Sequence, residues 1–169
     1  MSQKQDVLEE MDWELEEELA LLATEVVPPV ALRHRLMDSV QEQRWAPFWD
    51  RAARLLQVSA EQAQKILDRI QEVWDEHPFP GVELLHLAVG PAALGADVGL
   101  VRMQPGAAFP YHSHSQEIVL VLQGGFEDDD GQVYRAGAWI EREGGHQFRA
   151  LSEEVLIYLV VVYDLKMPC

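Results

Sequence analysis

The period of the apolar pattern changes at residues 75–81, and this change limits what the chain can fold into more than any other feature. Upstream, apolar residues recur at three- and four-residue steps, the repeat of a helix with one buried face. Downstream they come in short runs separated by turn residues. The segment between them, Asp75-Glu-His-Pro-Phe-Pro-Gly81, carries two prolines and a glycine. Neither helix nor central strand continues through such a stretch. The reading is an α+β chain, with a helical N-terminal region at 1–78 and a C-terminal β-barrel at 79–169.

Within the first region, Leu8, Met11, Leu15, Leu19 and Leu22 line one face of a helix from about Asp6 to Thr24. Pro28-Pro29 ends it, and Pro29 opens a second helix from Val30 to about Gln43. Trp45-Ala-Pro47 opens a third, carrying Phe48, Ala52, Leu55 and Leu56. Ser59 followed by Gln62 has the capping-box form and starts a fourth, ending near Trp74. Beyond Gly81 the runs Val82–Val89, Val98–Met103, Ile118–Leu122, Ala138–Glu141 and Val155–Tyr163 read as strands of an antiparallel sandwich or barrel. Glu127-Asp-Asp-Asp-Gly131 reads as a hairpin tip.

Charge and cysteine usage exclude several functions. The 169 residues carry a net charge of −16, which argues against nucleic acid or an anionic membrane as partner. Residues 1–30 hold nine acids and one base, so the first helix is sharply acidic. That face is either solvated or complementary to a basic partner. No apolar run reaches the roughly 20 residues of a membrane span, and the N-terminus lacks the form of a signal peptide. The expected location is cytoplasmic. The single cysteine, Cys169, provides neither a disulfide framework nor a thiolate zinc site within one chain.

The chemistry concentrates in Gly106-Ala-Ala-Phe-Pro-Tyr-His112-Ser-His114-Ser-Gln-Glu117-Ile-Val-Leu-Val-Leu-Gln-Gly124 and in Gly145-His146. In an extended strand His112 and His114 lie two apart and project to one face. Two imidazole nitrogens can then reach a common point. Glu117 can add a carboxylate oxygen, and His146, a hairpin later, a third imidazole. Such a set suits one divalent metal ion, zinc foremost, with iron, manganese, nickel or cobalt also accommodated. His34, His77 and His86 stand outside any ligand spacing. Met103, Phe126, Trp139, Phe148 and Tyr158 are read as lining the barrel interior, and Arg102 and Arg149 as outward-facing.

Residues 106–124 resemble the first motif of the cupin superfamily: a glycine, five residues, His-x-His, a short gap, a Glu, six residues and a glycine. The gap here is two residues, Ser115 and Gln116, where the family usually has three or four, which implies a tighter turn between two strands. Gly137-Ala-Trp-Ile-Glu-Arg-Glu143-Gly-Gly145-His146 resembles the second motif, with Glu143 in place of the proline. The resemblance implies an RmlC-like jelly-roll barrel.

A longer resemblance runs through Trp45-Ala-Pro-Phe-Trp-Asp-Arg-Ala-Ala-Arg-Leu-Leu, Pro80-Gly-Val-Glu-Leu-Leu-His-Leu, Asp97-Val-Gly-Leu-Val-Arg-Met-Gln-Pro-Gly and Val119 to Gly131. These segments are similar to the cupin half of ChrR-like anti-sigma factors. Residues 19–36 are similar to the end of their helical sigma-binding domain. The chain lacks that domain's His-x3-Cys-x2-Cys zinc motif.

The resemblance implies a regulator acting through an extracytoplasmic-function sigma factor, with a small-molecule or oxidant signal received in the barrel. Two other readings stay open. One is a metal-dependent, dioxygenase-like cupin enzyme, with Glu141 or Tyr158 as acid or base where they face inward. The other is a metal-stabilised homodimer without catalysis, whose helices cover a barrel edge.

Overall fold

The computed structural model describes residues 29–33, 44–88 and 95–167. The expected helix 6–24, the end of the helix begun at Val30, His34 and Cys169 lie outside these residues. The chain divides into two compact units, residues 1–39 and 40–169. Of the first, 29–33 are described: residues 30–33 are helical, with the Leu32 and Arg33 N–H groups donating to the Pro29 carbonyl.

The second unit begins with a 3-10 turn, Ala46–Phe48, leading into helix α1 (Trp49–Leu56) and then α2 (Ala60–Asp68). The capping box forms as the sequence implies. Gln62 N donates to Ser59 Oγ at 3.2 Å, and Ser59 N donates to Gln62 Oε1 at 2.9 Å. The helical stretch tightens into a 3-10 turn at Arg69–Gln71, three residues short of the expected end at Trp74. Trp74 is buried and its indole donates back to the Ile70 carbonyl at 3.1 Å.

Eight strands follow: β1 (Asp75–Glu76), β2 (Val82–His86), β3 (Ala96–Met103), β4 (Ala108–Gln123), β5 (Gly125–Asp128), β6 (Val133–Arg135), β7 (Trp139–Ala150) and β8 (Leu156–Tyr163). They form one antiparallel sheet in the order β1-β2-β3-β8-β4-β7-β5-β6. The segment 75–81, expected as linker, thus contributes the short β1 paired to β2.

The sheet curls into a barrel. β5 and β8 are three places apart in the strand order, which in a flat sheet would separate them by roughly 14 Å. Phe126 of β5 nevertheless lies 6.5 Å from Tyr158 of β8, ring to ring. The interior holds Val82, Val101, Met103, Phe109, Val119, Val121, Phe126, Phe148 and Tyr158.

The outer face of the β2-β3-β8-β4 side is a second core, in which α1 and α2 pack Ala52, Leu55, Leu56, Ala63 and Leu67 against Leu85, Leu100, Leu120, Leu122, Ile157 and Leu159. This explains the unbroken apolar run of β8. Its even positions Leu156, Tyr158 and Val160 face the barrel interior, and Ile157, Leu159 and Val161 face the helices. Helix gives way to strand near the change of period in the sequence, although both parts share one core. Trp139, expected inside the barrel, instead packs against the helix-side core with the Arg51 guanidinium 5.8 Å from its ring.

Candidate metal centre

β4 is a single 16-residue strand carrying His112, His114 and Glu117, and no turn separates the histidines from the carboxylate. The tight gap is accommodated by a β-bulge. His114 pairs with Gly144 of β7 and Glu117 with Arg142, so Ser115 and Gln116 together stand opposite Glu143. The bulge shifts the alternation by one, so Glu117 is buried on the same face as the histidines while Ser115 and Gln116 are exposed. His146 reaches the group from β7, where it is the direct cross-strand partner of His112; their rings lie 4.4 Å apart.

All four residues are buried, and one ligand atom from each lies within 4.8 Å of the others. Glu117 is the hub: its carboxylate oxygens stand 3.8 Å from His112 Nε2, 3.7 Å from His114 Nε2 and 3.2 Å from His146 Nε2. The donor atoms of a divalent ion with bonds of about 2.0–2.1 Å are themselves about 3–4 Å apart, so the cluster is of the right size.

The hydrogen bonding fits the same group. His114 Nε2 and His146 Nε2 are buried with no hydrogen-bond partner, an arrangement that costs free energy unless something accepts their lone pairs. His112 Nδ1 lies 3.0 Å from the Pro110 carbonyl, and His146 Nδ1 lies 3.1 Å from Asp128 Oδ1. Donation from Nδ1 to those oxygens leaves Nε2 of both rings unprotonated and free to ligate. A buried cluster of three imidazoles and one carboxylate is therefore able to bind a divalent metal ion.

Electrostatics support an ionised carboxylate at Glu117 and a neutral ring at His114. Burial alone would raise the Glu117 pKa, but its pairing with His112 and His146 reverses this and takes it to about 2. Burial holds His114 below the usual imidazole range, ahead of the opposing pull of Glu117. Burial also disfavours the charged form of His146, yet pairing with Glu117 and Asp128 outweighs it and moves that pKa up. Burial, then the Glu117 charge, push the Tyr158 phenol well above its ordinary value.

A cavity of about 110 Å³ opens beside the cluster. Its walls are mostly apolar, including Val101, Phe109, Val160 and Val162, and His112, Glu117 and Tyr158 border it. Tyr158 faces inward, as one enzyme reading requires. Glu141 does not: it is exposed and accepts from the Trp139 indole. His77 and His86, outside any ligand spacing in sequence, line the same cavity without joining the cluster. Arg102 is held in a two-pronged pair with Glu83, at 2.6 and 2.7 Å, and Arg149 is exposed and donates to the Gly106 carbonyl.

Two residues at the site go beyond the sequence reading. Asp128 stands inside a run of four acids read only as a hairpin tip, yet it is buried against His146 and paired with Arg142. No spacing rule marks either residue.

A jelly-roll-like barrel with three histidines and one glutamate gathered on its inner wall defines the cupin class. The model of the ChrR cupin-like domain matches residues 62–165, and the chain belongs to that family. No curated protein matches the chain in sequence.

Among solved structures, the complex of Rhodobacter sphaeroides SigE with the anti-sigma ChrR matches with a TM-score of 0.55. Identity is 23%, over 88% of this chain and 75% of that one. An acetylacetone dioxygenase from Acinetobacter johnsonii matches with a TM-score of 0.50 at 14% identity, over 59% of this chain and 74% of that one. A cupin-like protein of unknown function from Ralstonia eutropha, 22% identical with a TM-score of 0.44, is matched over 50% of this chain. The chain spans 56% of that protein's length. At these identities the likeness is one of fold. Among the described residues no helix is long and apolar enough to cross a membrane.

Proposed function

We propose that the barrel holds one divalent metal ion through His112, His114, Glu117 and His146, with zinc the leading candidate. On this reading the chain is a regulator of the ChrR anti-sigma type. The metal-loaded barrel receives a small-molecule or oxidant signal, and an extracytoplasmic-function sigma factor in the cytoplasm is the partner. The observation that carries the metal assignment is the pair of buried, partnerless Nε2 atoms of His114 and His146, 3.7 and 3.2 Å from an ionised Glu117. The metal would supply a Lewis-acidic charge beside the mostly apolar cavity, where Tyr158 remains a neutral phenol.

Support for the regulatory reading comes from family membership over 62–165 and from a fold match to the anti-sigma ChrR structure that covers 88% of the chain, beyond the barrel. The cavity next to the cluster also favours a second reading, a metal-dependent cupin enzyme of the dioxygenase kind. The absence of an inward-facing Glu141 weakens it.

Elemental analysis of the purified protein tests the metal assignment. One equivalent of metal in the wild type, lost in His112→Ala/His146→Ala, is expected. Co-purification with a sigma factor encoded beside the gene, and inhibition of transcription driven by it, tests the regulatory half. Failure to bind or inhibit any such factor would leave the metal-binding barrel standing and remove the anti-sigma role.

A further inference from the structure

His146 is the one member of the cluster whose second nitrogen faces both a hydrogen-bond acceptor and a donor. Its Nδ1 lies 3.1 Å from Asp128 Oδ1 and 2.7 Å from Arg142 Nη1, and the same Arg142 nitrogen donates to Asp128 Oδ2. A neutral imidazole carries one proton on two nitrogens. If Nδ1 holds it, the ring donates to Asp128 and Nε2 presents a lone pair to the cluster. If Nδ1 instead accepts from Arg142, the proton sits on Nε2, 3.2 Å from Glu117, and His146 cannot ligate a metal.

We propose that Asp128 is a positioning residue that selects the ligating tautomer of His146 against the competing donor Arg142. The proposal rests on the metal reading of the His112, His114, Glu117 and His146 cluster.

The surroundings favour this selection. Asp128 and the Arg142 side chain are both largely withdrawn from water, at 6% and 15% exposure, so solvent does not substitute readily for either. Arg142 is itself fixed, with its guanidinium 5.5 Å from the Tyr134 ring and its Nε 4.0 Å from Glu117 Oε2. Both contacts are independent of Asp128, and Arg142 is expected to stay beside Nδ1 when Asp128 is removed. His112 and His114 meet no such competition: His112 Nδ1 faces only the Pro110 carbonyl, and His114 Nδ1 is partnerless. Asp128 also sits where β5 meets its hairpin turn, so the choice of tautomer at the centre is tied to the β5–β6 hairpin.

The test uses the whole 169-residue chain with 15N-labelled histidine. Long-range proton–nitrogen correlation spectra, recorded at alkaline pH where the ring is neutral, report the tautomer of His146 without metal, and chelator competition with Zn(II) reports affinity. The expected result is the Nδ1–H form in the wild type and the Nε2–H form in Asp128→Ala, with a 10–100-fold weaker zinc affinity in the variant, the size of effect seen when a ligand's outer partner is lost.

Asp128→Ala/Arg142→Ala removes the competing donor as well, and part of the lost affinity is expected to return. A merely structural role for Asp128 would not produce that recovery. Persistence of the Nδ1–H form in Asp128→Ala, or an affinity loss that the second substitution deepens, would overturn the proposal. A wild type that binds no Zn(II) overturns the metal reading instead, while the tautomer comparison in the metal-free proteins still decides the role of Asp128.

Discussion

Glu117 Oε2 lies 3.7 Å from His114 Nε2, although the two residues stand three apart in one strand, a separation that in a regular pleat sends side chains to opposite faces. The bulge at Ser115–Gln116 makes the contact. It also re-aims everything beyond it, so that Val119 and Val121 continue the interior face while Leu120 and Leu122 reach the helices. One irregularity in β4 thus sets both the fourth ligand position and the division of the strand between two cores.

Glu117→Gln keeps the shape of the side chain and removes the charged donor at the centre of three imidazoles. We expect the affinity for Zn(II) to fall by more than the roughly 10–100-fold that loss of an outer partner costs. His114→Ala, which removes one of the partnerless nitrogens, should do the same. Chelator competition measures both, with near-UV circular dichroism confirming that the barrel is intact. Affinities within threefold of the wild type would exclude these residues as ligands.

The helices belong to the barrel's stability. Leu67 is fully buried between α2 and the sheet, and Leu67→Ala should destabilise the chain by about 2–5 kcal/mol in urea denaturation. A chain starting at residue 79 would expose Leu100, Leu120 and Leu159 to water, and we expect it to aggregate. If that shorter chain is monomeric and as stable as the whole, the helix-side core contributes nothing and the division at 78/79 is a true domain boundary.

Much of this was legible in the sequence, for physical reasons that differ from part to part. His112 and His114 could be placed together because period two is a property of any extended strand, and β8 could be read as buried from its length and apolar content. Glu117 was marked by its chemistry and its closeness to the two histidines, although the parity of its spacing from His114 points the wrong way until a bulge intervenes. Asp128 was hidden because the other acids of its run are ordinary exposed residues, Glu127 on the strand and Asp129 and Asp130 in the turn, and its burial depends on the distant Arg142 and His146. Trp139 was misplaced because alternation gives two faces without saying which faces inward, and here the outer face is itself covered by α1 and α2.

Gly124 and Gly106 separate two kinds of glycine requirement. Both have a positive φ, +67° and +76°. A Cβ on Gly106 meets nothing within 4 Å, whereas one on Gly124 falls 2.7 Å from the Val155 carbonyl oxygen and 3.1 Å from Leu156 Cα. Gly106→Ala should therefore cost only the left-handed backbone, about 1–2 kcal/mol. Gly124→Ala adds a backbone clash where β4 passes β8 and should lower the melting temperature distinctly further. Equal losses in thermal denaturation would show that the β4–β8 contact relaxes freely.

The depressed pKa of Glu117 gives the metal-free protein a defined acid sensitivity. Its ordinary value is 4.5; in the fold burial pushes it up, but pairing with the buried imidazoles prevails and brings it to about 2. A group with a lower pKa in the folded than in the unfolded state stabilises fully above its unfolded value and loses that contribution as pH falls toward its folded one. The contribution of Glu117 should thus be complete above pH 4.5 and drain away between 4.5 and about 2. Other paired acids, such as Glu83 with Arg102, titrate in the same region, so the informative quantity is the difference between wild type and Glu117→Gln. Measured by urea denaturation in chelator, that difference should shrink steadily as pH falls from 4.5. A difference independent of pH would mean that the carboxylate carries no charge-dependent pairing with His112 and His146, and the electrostatic account of the centre would be wrong.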